Sequence, residues 1–296
     1  MNGYHGRTLS SSTKRAEVST NSNYDFVVAS YNDIADTDAI VSKVRPGSLA
    51  AILVEPMRGA GGCVPGTSTF LDHLRSLATS HGAVLIFDEV MTSRLNYGGL
   101  QAAFGIKPDI TTVGKYLGGG MSFGAFGGRR EILEMFDPRT GKATHAGTFN
   151  NNIFTMAAGV AGAAILNREI LDQLNSLGDN LREKIALAIE TCIPRQEGVE
   201  PKMFVQGVGS ILAVHFGGRH YEILKALFYH HMLDRGIFIA ARGFIALSIE
   251  TKAHHVELFL RALAEYVDNC QISWCKTREW IIFRRRQCSF GSYQCF

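Results

Sequence analysis

Short apolar runs alternate with longer amphipathic stretches through the first 175 residues, which predicts an α/β fold with a mostly parallel sheet and helices on both faces. Past about residue 191 the rhythm changes to short strands interleaved with two helices, which adds a smaller C-terminal α+β domain. Of the 296 residues 46% are apolar and 19% charged, enough for one large or two modest cores and too apolar for a disordered chain. The expected domains are residues 1–190, residues 191–269 and a separate tail at 270–296.

The elements follow in order. Residues 6–25 are polar and serine-rich and read as a long loop. Phe26-Val27-Val28-Ala29 reads as a strand, and Leu49 to Glu55 as a buried strand followed by a glycine-rich loop through Gly59, Gly61 and Gly62. Phe70, Leu71, Leu74, Leu77 and Ala78 recur at helical spacing over residues 68–81. Ala83 to Phe87 is a second buried strand ending in Asp88-Glu89, and Ile110–Val113 and Gly124–Gly127 are further short strands. Residues 151–175 carry one long helical pattern, Ala-rich at first, and Leu177–Thr191 a second. Strands at Phe204-Val205, Ile211–Val214, Ile237–Ile239 and Phe244–Leu247 then interleave with helices over about 219–235 and 253–268.

Charge is unevenly placed. Residues 271–296 hold five basic side chains against Glu279, so the body keeps 25 basic and 26 acidic groups and has no excess suited to nucleic acid. Both tryptophans, Trp274 and Trp280, and four of six cysteines (Cys270, Cys275, Cys288, Cys295) fall at or beyond residue 270. The cysteine gaps fit no tight zinc pairing, and no metal site is expected. No run of eighteen apolar residues and no apolar leader occur, which sets a cytoplasmic location as the default expectation. His230-His231 and His254-His255 read as partly solvated helix surface.

Two polar groups stand out by position. Asp88 ends an apolar strand, where open parallel sheets place ligand-contacting residues. Lys115 lies between the strand 110–113 and Gly118-Gly119-Gly120. A desolvated lysine amine is a nucleophile for a carbonyl, and a carboxylate can hold a pyridinium nitrogen protonated. Together they are the two handles of a pyridoxal phosphate site; by spacing alone, a solvated salt-bridge partner is the commoner reading of such residues. A nucleotide site is disfavoured, since Lys115 is followed by Tyr116 rather than Ser or Thr and the glycines lack dinucleotide-binding spacing.

The local words AVLIFDEVMTSR (83–94), PDITTVGKYLGGGMSFGAFGG (108–128) and HAGTFNNN (145–152) closely resemble class III aminotransferases, in particular the glutamate-1-semialdehyde aminomutase-like branch. Glu55-Pro56 and Tyr4-His5-Gly6 match in the same order, and the resemblance spans about residues 3–268. It implies a fold type I, pyridoxal 5′-phosphate-dependent enzyme that moves an amino group between an amino acid or amine and a carbonyl compound, as a transaminase or an intramolecular aminomutase. Lys115 is then the Schiff-base and proton-shuttling lysine, and Asp88 the partner of the ring nitrogen. Val90 and Tyr4 cover the two ring faces, and Glu55 stands behind the groups that touch the ring. Gly147 and Thr148 bind the phosphate of a cofactor held mainly by a second subunit, which implies a homodimer with a shared site. Loop 6–25 takes the place of a gate. Plain structural readings stand beside these: a frayed Tyr4, a core Val90, Glu55 capping the next turn, asparagine capping after Thr148. Arg242, beside Gly243, is a candidate carboxylate clamp.

The family pattern normally includes a segment ahead of the Tyr-His-Gly word, with further phosphate donors, and Thr-Gly-Phe-Arg where this chain has Thr92-Ser93-Arg94-Leu95. The expectation is therefore an N-terminally truncated chain with an unrelated tail. The alternative function is a catalytically impaired remnant that acts at most as a binding or interaction protein.

Overall fold

The computed structural model describes residues 26–141, 143, 145, 147–193, 202–276 and 294–295. Tyr4, the loop 6–25 and most of the tail lie outside them. The chain falls into two compact units divided between Asp172 and Gln173.

The first unit opens with α1 (Ile34–Val41), a helix absent from the expected elements. Asp33 starts it by accepting from the Asp36 amide at 2.8 Å. Phe26–Ala29 form no strand, and Phe26 and Val27 stay exposed, so the apolar run alone does not make a sheet. β1 (Ala51–Val54) is followed by the small antiparallel pair β2 (Met57–Arg58) and β3 (Val64–Pro65). Thr67 caps α2 (Ser68–Ser80) by accepting from the Phe70 amide at 3.2 Å. Then come β4 (Val84–Asp88), α3 (Leu100–Phe104), β5 (Ile110–Gly114), β6 (Gly124–Gly128), α4 (Arg130–Leu133) and α5 (Ile153–Ile165).

The sheet order is β1-β4-β5-β6, parallel through the first three strands, with β6 antiparallel at the edge. Packing is one-sided. Leu85 and Phe87 point toward Phe70, Leu71, Leu74 and Ala78 of α2 and are fully buried, whereas Val84, Ile86 and Asp88 alternate onto a half-buried face. The continuous apolar run of β4 suggests cover on both faces. In this chain one face is closed by α2 and the face that carries Asp88 is partly open.

The helical pattern expected over 151–175 is broken at Leu166-Asn167. Leu166 leaves the helical region (ψ 61°), and Asn167 restarts the chain by accepting from the Ile170 amide at 2.9 Å. The second segment, α6 (Arg168–Cys192), runs unbroken through Leu177 and crosses the division between the units. That division falls ahead of the expected boundary at 190, because Leu174, Leu181, Ile185 and Ile189 of α6 belong to the second core.

In the second unit, β7 (Met203–Val208) and β8 (Ile211–Phe216) form a hairpin. After α7 (Tyr221–Leu233) and β9 (Ile237–Phe238), β10 (Phe244–Ala246) returns antiparallel to β8, giving the order β10-β8-β7. α8 (Ala253–Lys276) extends beyond the expected end at 268, and β11 (Gln294–Cys295) pairs parallel with β9. Leu212 and Val214 of β8 pack with Phe228 and Met232 of α7 and with Phe259, Leu263 and Val267 of α8. Tyr266 resolves its polar end by donating to the Leu224 carbonyl oxygen at 2.8 Å.

Candidate active site

Parallel strands end together, so residues that follow them in sequence share one edge of the sheet. Asp88 closes β4 and is the register partner of Thr112 on β5; three residues beyond Thr112 stands Lys115. On the other side, Val54 pairs with Phe87, which puts Glu55 at the adjoining end of β1. Three of the expected site residues therefore rise from neighbouring strand ends.

The Asp88 carboxylate is held by two donors on one oxygen: the Val90 amide at 3.1 Å and the Thr112 hydroxyl at 3.3 Å. Carboxylate and lysine strand are thus linked through a single threonine. Val90 lies against the same strand end, its Cγ1 3.6 Å from where a Cβ on Gly114 would stand. Glu55 is buried and accepts from the Gly59 amide at 3.0 Å, which is the turn-capping role named as its structural reading.

Lys115 is solvent-exposed and has a φ of +53°, an uncommon conformation for a residue with a Cβ. Such strain persists where the surroundings over-determine it, often at sites of function. The surroundings here are a one-turn 3-10 helix, Lys115–Gly118, locked against α5. Gly119 (φ +60°) sits so close to α5 that a Cβ would fall on the Ala158 carbonyl, and a Cβ on Gly159 would come 2.7 Å from the Leu117 oxygen. Glycines on both partners let backbone meet backbone. The Thr155 hydroxyl adds a bond to the Ser122 carbonyl oxygen at 3.4 Å.

Behind the turn is a cavity of about 160 Å³, lined by Ser93, Tyr97, Tyr116, Leu117, Gly162 and Leu166 among others; neither Asp88 nor Lys115 lines it. Burial pushes the Tyr116 phenol above its ordinary range and Arg94 below its own, and the nearby positive charge of Arg94 pulls Tyr116 partly back.

The remaining expected residues are not drawn into this cluster. Gly147 and Thr148 are exposed and lie ahead of α5, whose first amides, Phe154 and Thr155, donate to Asn152 Oδ1 at 3.1 and 3.3 Å. Arg242 belongs to the second unit, exposed, with its guanidinium 4.9 Å from the Phe244 ring centre. Tyr4 is outside the described residues. Sequence reasoning passed over Glu89, fully buried and bonded to Thr92, Leu100 and Gln101. The available signal was the pair Asp88-Glu89 at a strand end. Side chains alternate there, so one carboxylate must turn inward and find donors.

The donor set fits pyridoxal phosphate at the ring and the aldehyde: a braced carboxylate, an aliphatic side chain and an exposed amine on one edge of the sheet. Residues 1–265 match the family model described as Aminotransferase class-III. The chain is 41% identical over 276 residues to the beta-phenylalanine transaminase of Variovorax paradoxus, covering 90% of this chain and 61% of that protein. A solved beta-phenylalanine aminotransferase from that organism superposes with a TM-score of 0.81 at 40% identity, over 90% of this chain and 62% of that one. The glutamate-1-semialdehyde 2,1-aminomutase of Clostridium tetani is 36% identical over 256 residues, 81% of this chain and 58% of that protein. A transaminase solved with PLP bound superposes with a TM-score of 0.75 at 28% identity, over 83% of this chain and 58% of that one. The chain spans about three fifths of the length of the curated relatives it matches.

Proposed function

The chain belongs to the class III aminotransferases, of fold type I and dependent on pyridoxal phosphate, and on that premise we propose that it transfers an amino group between an amino acid or amine and a carbonyl compound. The observation that carries the reading is the placement of Asp88 and Lys115 on adjoining parallel strand ends, coupled through Thr112.

When bound, pyridoxal phosphate supplies an electrophilic aldehyde and a ring that takes up the electron pair left as the substrate carbon loses its proton. The residues of the chain do the rest. The Lys115 amine holds the cofactor and then takes and returns the proton at the amine-bearing carbon. The Asp88 carboxylate, fixed by Val90 and Thr112, would pair with the ring nitrogen and keep it protonated. Val90 would cover one face of the ring, with Glu55 behind it; Tyr4, expected for the other face, lies outside the described residues. Gly147 and Thr148 would serve the phosphate of a cofactor held mainly by a second subunit; Arg242, in the second unit, stays a candidate for binding a carboxylate.

A homodimer is part of the proposal. Phe149, Ile153, Phe154 and Val160 are 82%, 75%, 71% and 72% exposed on and just before α5, an apolar surface that water does not favour and a second copy would cover. Location in the cytoplasm is proposed as well; among the described helices, none is by itself long and apolar enough to cross a membrane.

The test is direct. The purified chain is mixed with pyridoxal phosphate, reduced with borohydride, digested and mapped by mass spectrometry. The label is expected on Lys115 and is lost in Lys115→Ala. A label elsewhere removes the site assignment, and no cofactor binding at all favours the remnant with a binding role. Release of a free carbonyl product from an amino donor separates transaminase from aminomutase.

A further inference from the structure

We propose that Glu89 is the positioning residue of this site: its buried carboxylate pins the loop from Val90 to Gln101 against β5 and so fixes where Asp88 and Val90 stand relative to Lys115. The inference rests on the roles given to Asp88 and Lys115 above and deepens them.

Glu89 is 0% exposed. One carboxylate oxygen accepts from the Thr92 hydroxyl at 2.9 Å and the Leu100 amide at 2.7 Å; the other accepts from the Gln101 amide at 2.8 Å. The bonds continue into the lysine strand. The Glu89 amide donates to the Thr112 carbonyl oxygen at 3.0 Å, and the Thr111 hydroxyl donates to Gln101 Oε1 at 3.3 Å. Thr112 in turn donates through its hydroxyl to Asp88 at 3.3 Å. Two paths from Glu89, through its own amide and through Gln101, therefore return to β5, the strand that leads into Lys115.

Space is shaped for this carboxylate. Gly99 has a φ of +76°, and a Cβ there would stand 2.6 Å from Glu89 Oε1. Burial pushes the acid upward and the amides of Gln101 and Leu100 with the Thr92 hydroxyl pull it down, so the donors are what make burial tolerable. Asp88 precedes it and faces the other way. One carboxylate is left for the ligand while the other is consumed in bracing it.

The test uses the full chain with Glu89→Gln. Glutamine keeps the size but brings an amide NH₂ that must face one of the backbone N–H donors. Hydrogen exchange without cofactor is expected to quicken in peptides covering 88–93 and 98–102, and also in 112–118. Pyridoxal phosphate is expected to bind about tenfold more weakly, the loss of one charge-assisted bond, with a displaced pH midpoint of its bound absorption band. Exchange in 112–118 that stays at the wild-type rate overturns the proposal, whatever the cofactor does, since the brace then does not reach Lys115. If Glu89→Gln does not fold, Thr92→Val removes a single donor and is read by the same peptides. Wild-type chain that binds no pyridoxal phosphate defeats the catalytic reading instead, and the exchange measurement still decides the role of Glu89.

Discussion

Asp109, one residue before β5, gives the most quantitative test of how this site is held. Its side chain is 9% exposed. Oδ2 accepts from Arg75 Nη1 and from the Leu85 amide, each at 2.8 Å, and Oδ1 from Arg129 Nη1 at 3.3 Å. One carboxylate thus ties α2, the strand of Asp88 and the end of β6 to the strand of Lys115. In Asp109→Asn one acceptor oxygen remains for three donors. Arg129 is half exposed and Arg75 a quarter exposed, so both can turn to water at little loss. The Leu85 amide is interior and cannot. The asparagine oxygen therefore stays with the Leu85 amide, and what is lost is the negative charge on these bonds; a hydrogen bond to a charged group is worth about 1.5–3 kcal/mol against about 1 for a neutral one, so the expected destabilisation is about 1 kcal/mol at neutral pH. Burial raises the Asp109 carboxyl, but the Leu85 amide and the two arginines outweigh it and leave it below the ordinary range. Its stabilisation is therefore complete above the unfolded value near about 3.9 and fades as pH falls through the lower folded value. Urea unfolding followed by far-UV circular dichroism at pH 7 and at about pH 3 reads both effects. The midpoint should fall with an unchanged slope at pH 7, and the gap to wild type should narrow in acid. A loss under about 0.5 kcal/mol at pH 7, the range of ordinary surface substitutions, or a gap indifferent to acid, refutes the reasoning.

Two further outcomes follow from the same kind of argument. His231 donates through Nε2 to the Ala262 carbonyl at 2.8 Å. Burial holds it below the ordinary histidine value, against the pull of Ala262, Glu265 and Asp234 and with the push of Arg235. The folded chain therefore resists taking up that proton, and stability should decline as pH drops below about 6.5. Melting curves of His231→Gln should show a weaker decline, and identical slopes would falsify the assignment. For the proposed dimer, Phe154→Asp places a charge in the exposed apolar surface of α5; sedimentation should show wild-type dimer and a shift toward monomer in the variant, while unchanged dimer mass excludes this face as the interface.

Much of this was legible in one dimension because it depends on local chemistry. Strand 84–88, helix 68–80 and the strand–lysine–glycine word are each set by residues within a few positions of one another, and parallel pairing then places Asp88 and Lys115 on one edge of the sheet. The misses also have local causes. Val27 and Phe26 look like strand residues but stay exposed, and the break at Leu166-Asn167 lies inside an apolar pattern that runs across it, because one asparagine recaps the chain.

What the sequence by itself determined was the family, and it supplied the two side chains proposed to meet the cofactor, Lys115 and Asp88, since a nucleophilic amine and a carboxylate are properties of side chains. What only the tertiary structure decided was the bracing: that α2 closes one face of the sheet and not the other, that glycines of α5 and of the lysine turn meet backbone to backbone, and that Glu89 turns inward to Leu100 and Gln101. Those depend on which distant groups can reach a buried donor or acceptor, and that is fixed by packing rather than by spacing along the chain.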